Sequence, residues 1–378
     1  MKIAIDLRGL HDNEPSGVGY FTMQVVERIL EHDKHNKYVL YYNAFRQKVF
    51  ERFHFVNVEY IQTRIPNRLL NLSLKLFGFP HFERLSGEVQ TVIMPNPNMI
   101  RLHSTTKLVL VIHDLSPLVM PEMYSWKSRL WHWLIDIPGL CKRADKIFAV
   151  SEFTKQSLIE QLHIDANKIT VGKLGVDHER YHTNLSEPKL RYIRNIYGLP
   201  GQFISFVATL EPRKNLERLI EAFEQLEYDG SLVIIGKLGW KYDSVLQKMR
   251  TSPKAKKITY LGYVPEQDKP YILKLSDIFA WPSLYEGFGL PVLEAMAVGT
   301  PVLTSNVTSL PEVVGGSALM VNPYQVNDIR SGLQQLLDQS HLKAEYRARG
   351  LERVKQFSWD STSKVLASVI DTRHEDRI

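Results

Sequence analysis

Short apolar runs alternate with stretches of helical spacing along most of the chain. Lys2–Leu7 is such a run. The segment from Gly9 to Gly19 is a polar loop closing in Ser16-Gly17-Val18-Gly19, and Phe21, Val25, Val26 and Ile29 then recur at helical spacing over 20–30. The opening therefore reads strand, glycine loop, helix. Further strands are expected at 39–42, 58–61, 91–94, 107–112 and 147–150, with a helix over 152–162. The polar and charged stretch 178–200 reads as an interdomain connection. Beyond it a second series begins, with strands at 203–208, 231–235, 258–261, 278–281 and 301–304. Helices over 216–226, around 245–249 and over 269–275 alternate with them, and a terminal helix spans 357–370. Strands apolar on both faces, alternating with helices, predict parallel sheets covered on both sides. Two such series predict two Rossmann-like, doubly wound α/β domains, 1–185 and 186–356, with a C-terminal segment 357–378 packing back on the first.

Composition narrows the class. With 378 residues, 44% of them hydrophobic, the chain is long enough to bury two cores. No apolar run reaches about 18 residues, so no membrane-spanning helix is expected, and MKIAIDLRGL lacks the features of a signal peptide. The single cysteine, Cys141, excludes an intrachain disulfide framework and fits a reducing cytoplasm. A net charge of +6 and a pI near 9.1 favour an anionic partner, whether nucleotide, phospholipid surface or nucleic acid. Nucleic acid is the poorest of these, because the cations are scattered and form no recognisable module. Two segments, 64–84 and 126–143, interleave Arg and Lys with Leu, Phe and Trp. Either they are amphipathic helices facing the core, or they make peripheral contact with an anionic membrane, such as its inner face.

The candidate chemistry collects at strand ends, where ligands bind in open α/β sheets. The stretch Trp281–Pro301, WPSLYEGFGLPVLEAMAVGTP, holds two carboxylates, Glu286 and Glu294, separated by seven residues that include Gly287, Gly289 and Pro291. It reads as a glycine-rich loop followed by a helix from Leu290 or Pro291 that stops near Gly299. The N-terminus of that helix favours an anion such as a diphosphate, and the two carboxylates suit hydroxyls beside it. The plainer alternative is the start of a buried helix that binds nothing. Arg213 and Lys214, read at the start of a helix just past a strand, add two adjacent cations. Gly236, Tyr263 and Val264 follow other strands of the same half, and His113-Asp114 ends 107–112. A strand-end histidine satisfied by a backbone carbonyl is the alternative for His113. No Asp-x-Asp occurs, so charge neutralisation falls to cations and a helix terminus with no metal. A dinucleotide fingerprint needs a glycine where Thr22 stands, which weakens a nicotinamide-dehydrogenase reading.

The E-x7-E of YEGFGLPVLEAMAVGTPV, with LEPRKN upstream, the GYV turn, Leu310-Pro311-Glu312 and the terminal FSWD, resembles the retaining glycosyltransferases of family 4 over the whole chain. The resemblance implies the GT-B fold, two Rossmann-like domains facing across a cleft. It further implies that Glu286 contacts hydroxyls of a donor sugar and Glu294 the ribose hydroxyls. The amides of Phe288, Gly289 and Leu290, with Arg213 and Lys214, would hold the diphosphate. The backbone at Tyr263 and Val264 would receive the base, with Gly236 allowing its approach. Gly17 would approach the diphosphate, and His113 the sugar near its reacting carbon. The implied reaction is front-face substitution with retention, in which the leaving diphosphate helps to deprotonate the acceptor and neither cofactor nor metal is required.

IDLRGL, SGVGYF and VIHDLSPL resemble the GDP-mannose-dependent branch, which makes GDP-mannose the favoured donor and UDP-sugars the alternative. The acceptor would be a saccharide or lipid-linked saccharide. A nucleotide-sugar epimerase and a non-catalytic nucleotide-sugar-binding subunit are the rival readings.

Overall fold

Runs such as Lys107–Ile112 and Phe203–Val207 have no polar face, so they are stable only with both faces covered. In the computed structural model, which describes residues 1–10, 17–44 and 53–370, every such run is a parallel strand. The first unit comprises Met1–Leu115, Trp126–Leu174 and the residues from Trp359. Its strands are β1 (Lys2–Asp6), β2 (Lys37–Asn43), β3 (Val58–Thr63), β4 (Thr91–Met94), β5 (Lys107–Ile112), β6 (Lys146–Ala149) and β7 (Ile169–Val171). They form one sheet in the order β3-β2-β1-β4-β5-β6-β7, so the order reverses between β1 and β4.

The second unit, Ser116–Ser125 with Gly175–Ser358, has β8 (Phe203–Val207), β9 (Ser231–Ile235), β10 (Ile258–Gly262), β11 (Ile278–Trp281), β12 (Val302–Ser305) and β13 (Leu319–Val321). Their order is β10-β9-β8-β11-β12-β13, reversing between β8 and β11. Both sheets are thus doubly wound, with the strand order that places ligand sites at the reversal.

Helices at the expected spacings cover the sheets. The Gly17–His32 helix buries Phe21, Val25, Val26 and Ile29. The helix Trp359–Ile370 lies on it, with the Trp359 ring edge-on to Tyr20 and Phe21 at 5.8 and 6.2 Å and Arg28 paired to Asp360 at 2.8 Å. The 178–200 stretch differs from a bare connection. Glu187–Ile196 is a helix of the second unit that buries Leu190 and Ile193. Segment 126–143 divides at Asp136, which takes a left-handed conformation (φ 56°) and caps the next helix by accepting from the Gly139 amide. That second helix, Ile137–Arg143, buries Ile137, Leu140 and Cys141 and is core. Residues 11–16 of the glycine loop, including Ser16, and the tail 371–378 lie outside the described residues. Among the described residues, no helix is long and apolar enough to cross a membrane.

Candidate functional site

The reversal point of the second sheet gathers most of the chemistry. β8 and β11 are neighbours there, and both end at the same edge. The segment leaving β8 carries Glu211, Arg213 and Lys214, and the segment leaving β11 carries Tyr285 and Glu286. Lys214 Nζ sits 2.7 Å from Glu286 Oε1, and Arg213 Nη1 lies 3.1 Å from Glu286 Oε2. Arg213 also donates to the Tyr285 carbonyl at 2.8 Å and pairs with Glu211 at 2.8 Å. The Lys214 ammonium lies 4.9 Å from the Trp281 ring, so its charge is held on the ring as well as on the carboxylate. All three charged ends are largely buried, at 14%, 11% and 7% exposure for Arg213, Lys214 and Glu286. Burial pushes the Glu286 carboxyl up, but Lys214 and Arg213 outweigh it and hold the group below its ordinary value, so Glu286 is ionised.

Backbone hydrogen bonds fix these segments to one another. The Leu284 amide donates to the Arg213 carbonyl at 2.9 Å, and Asn215 Nδ2 donates to the carbonyls of Pro282 and Pro323. The Ser309 hydroxyl donates to the carbonyls of Glu286 and Phe288, while Thr308 Oγ1 accepts from the Glu286 amide. Arg213 and Lys214 do not open a helix, as their sequence position implies. They lie in the 3-10 turn Pro212–Lys214, and Asn215 in left-handed conformation (φ 61°) separates them from the Leu216–Glu224 helix. Ion pairs across the sheet edge, more than a helix dipole, set their environment.

The glycine-rich loop leads into a helix over Leu290–Ala297, with Pro291 in its first turn, where a missing N–H costs nothing. Gly289 precedes it at φ 108°, and a Cβ there would meet Leu310 Cδ2 at 2.8 Å. Phe288 is buried and meets Phe357 edge-on at 5.9 Å. Gly299 ends the segment at φ 78°. Glu294, on the buried side of this helix, has a different character from Glu286. Burial lifts its carboxyl to about 7, with Glu266 adding to the rise and Lys269, the Tyr181 hydroxyl and Arg180 opposing it. The two glutamates are therefore not equivalent: one is the counter-ion of two cations, the other a carboxyl poised near neutrality.

The remaining predicted residues lie at other strand ends, except Gly17, which opens a helix. Gly236 follows β9 at φ 143°, where a Cβ would stand 1.7 Å from the Ala208 carbonyl oxygen. Packing against its own chain thus requires this glycine. Gly236→Ala is expected to cost about 2–3 kcal/mol, read as a fall in melting temperature, and an unchanged melting temperature would contradict the geometry. Tyr263, after β10, is 37% exposed with the Lys237 ammonium 4.9 Å from its ring, while Val264 is fully buried. Gly17 begins its helix, and a Cβ there would meet nothing within 4 Å.

His113 directly follows β5 in the first unit. Its Nε2 lies 2.9 Å from the Pro95 carbonyl, and its ring meets Phe21 edge-on at 4.8 Å. Burial lowers its pKa against the opposing effects of Pro95 and Asp114, so the ring is neutral near pH 7. A neutral ring donating from Nε2 leaves Nδ1 as an acceptor. Among the described residues, no three His, Cys, Asp or Glu side chains converge as metal ligands.

Residues 16–180 match the family described as Glycosyltransferase Family 4, and residues 193–353 that described as Glycosyl transferases group 1. O-antigen chain mannosyltransferase B of Escherichia coli is 35% identical over 274 residues, which is 71% of either chain. The chain belongs to glycosyltransferase family 4. It is also 33% identical over 263 residues to the serotype-specific mannosyltransferase WbdA of Escherichia coli, covering 68% of this chain and 32% of that protein, so it corresponds to only part of that relative. Among solved structures, HepE of Anabaena in complex with UDP and glucose superposes with a TM-score of 0.77 over 98% of this chain and 100% of that one, at 18% identity. The fold of this family 4 chain is GT-B.

Several residues of the site were not singled out from sequence. Glu211 and Asn215 lie inside LEPRKN, and Ser309 directly precedes Leu310-Pro311-Glu312, so motif context was available for them. Tyr181 and Lys269 come from distant segments whose composition gives no signal.

Proposed function

We propose that this chain transfers mannose from GDP-mannose, with retention, to a saccharide or lipid-linked saccharide acceptor in polysaccharide synthesis. The observation that carries this reading is the meeting of Lys214 and Arg213 with Glu286 at the β8/β11 reversal, beside the start of the Leu290–Ala297 helix. Two anchored cations and a helix N-terminus suit a diphosphate. The mannosyltransferase relatives point to the sugar.

In this reading residues 186–356 bind the donor and 1–185 the acceptor. Lys214, Arg213 and the amides of Phe288, Gly289 and Leu290 take the diphosphate. Glu286 takes sugar hydroxyls, Glu294 the ribose, and the backbone at Tyr263 and Val264, beside Gly236, the base. His113 serves the sugar near its reacting carbon, and Gly17 the diphosphate. The bond from the sugar to the diphosphate breaks with its electron pair going to the phosphate oxygen. The acceptor hydroxyl attacks from the same face, and its proton passes to that oxygen. Fixed cations stabilise the charge that grows on the leaving group.

A thermal-shift panel of GDP, GDP-mannose, UDP and UDP-glucose tests the assignment. At hundredfold excess over Kd, the guanosine compounds are expected to raise the melting temperature by about 5 °C. Silence from all four compounds would remove the transferase reading. A response confined to the uridine compounds would replace GDP-mannose by a UDP-sugar.

A further inference from the structure

The helix Asn67–Phe77 has two apolar stripes, of which the core uses one. Leu70 and Leu74 are buried, while Leu69, Leu72 and Leu76 recur at helical spacing on another face and are 55–64% exposed. The helix Trp126–Ile135 repeats the arrangement, burying Ile135 and exposing Trp126, Leu130 and Trp133 at 70%, 47% and 67%. Both helices belong to the first unit. They are neighbours, because the Lys75 ammonium of one lies 4.8 Å from the Trp133 ring of the other. Two exposed apolar stripes therefore lie side by side, beyond what a monomer leaves scattered on its surface.

Cations are interleaved with these stripes. Arg68, Lys75, Lys127 and Arg129 are all exposed, and the Lys127 ammonium lies 5.7 Å from the Trp126 ring. Segments 64–84 and 126–143 hold eight Lys and Arg against two acids, and both acids are engaged elsewhere. Glu83 accepts from the His103 amide and the Thr106 hydroxyl, and Asp136 caps its helix. Protein interfaces are depleted in Lys at their centres, whereas exposed Trp and Leu mixed with Lys and Arg match the boundary of an anionic bilayer.

We propose that the first unit docks on an anionic lipid surface through the paired stripes Leu69/Leu72/Leu76 and Trp126/Leu130/Trp133, with Arg68, Lys75, Lys127 and Arg129 meeting the headgroups. The Ile137–Arg143 helix, whose apolar residues are core, takes no part in the insertion. This docking stands apart from the transfer reaction, since it needs neither donor nor acceptor.

The test is co-sedimentation of the full chain with vesicles of phosphatidylcholine alone or with phosphatidylglycerol added. Partitioning is expected only onto the anionic vesicles, weakening as salt rises. The combined variant Leu72→Ser/Trp126→Ser/Trp133→Ser should partition at least about tenfold less, and Lys75→Glu/Lys127→Glu should fall by about the same factor. Both should keep the wild-type melting temperature, because every substituted side chain is exposed. Equal partitioning of variants and wild type, or wild-type binding that ignores lipid charge or is absent, would overturn the proposal. So would a dimer in gel filtration that the serine variant dissociates, since a second copy would then cover the stripes.

Discussion

Lys214→Ala is expected to lower kcat/KM by roughly 10²–10³-fold and to weaken GDP binding in parallel. The ammonium is fixed in two directions, 2.7 Å from Glu286 and 4.9 Å from the Trp281 ring, so its charge is in place before any ligand arrives. A cation that need not be reorganised contributes most where charge grows during the reaction. Arg213 is close but cannot substitute. Its Nη2 is paired with Glu211 and its Nη1 with the Tyr285 carbonyl, which hold it in its own place. The fold should tolerate the change, because Glu286 keeps Arg213 as a partner. Steady-state kinetics with GDP-mannose, alongside calorimetric titration with GDP, separate the two effects. Near-wild-type turnover would sink the assignment of Lys214 to the diphosphate.

How much of this was legible in the sequence follows from what each feature depends on. The central strands were readable because they are apolar on both faces. Runs such as Thr91–Met94 and Ile278–Trp281 are too short for a buried helix and suit strands covered on both faces. The edge strands β7 and β13 are three residues each and too short to show a pattern. The Glu187–Ile196 helix lies in a charged stretch and buries only Leu190 and Ile193, so composition hid it.

The site followed the same division. LEPRKN and E-x7-E mark the right segments, but that Lys214 and Arg213 close on Glu286 depends on β8 and β11 being neighbours, which is topology. The contrast between Glu286 and Glu294 was invisible for the same reason. Both carboxyls are buried, but Lys214 and Arg213 outweigh the effect of burial at Glu286, whereas at Glu294 burial, with Glu266 adding to it, prevails over Lys269, Tyr181 and Arg180.

Glu286→Gln distinguishes a structural counter-ion from a group that also serves the reaction. The carboxylate is 7% exposed and neutralises two buried cations. Its removal leaves Arg213 with Glu211 and Lys214 with the Trp281 ring. Breaking a buried pair in this way costs about 3–5 kcal/mol, so the melting temperature should fall clearly, and further for Glu286→Ala, which also leaves a void.

GDP should then stabilise Glu286→Gln more than it stabilises the wild type, because the diphosphate no longer competes with a carboxylate for the same cations. Turnover discriminates the roles. If Glu286 only balances charge, Glu286→Gln saturated with donor, at a temperature where it is folded, turns over like the wild type. If Glu286 also takes sugar hydroxyls, as proposed, turnover falls even though GDP is held more tightly. Tighter GDP binding combined with lost turnover is an outcome that misfolding cannot produce, and wild-type turnover in Glu286→Gln would confine the residue to holding Lys214 and Arg213 in place.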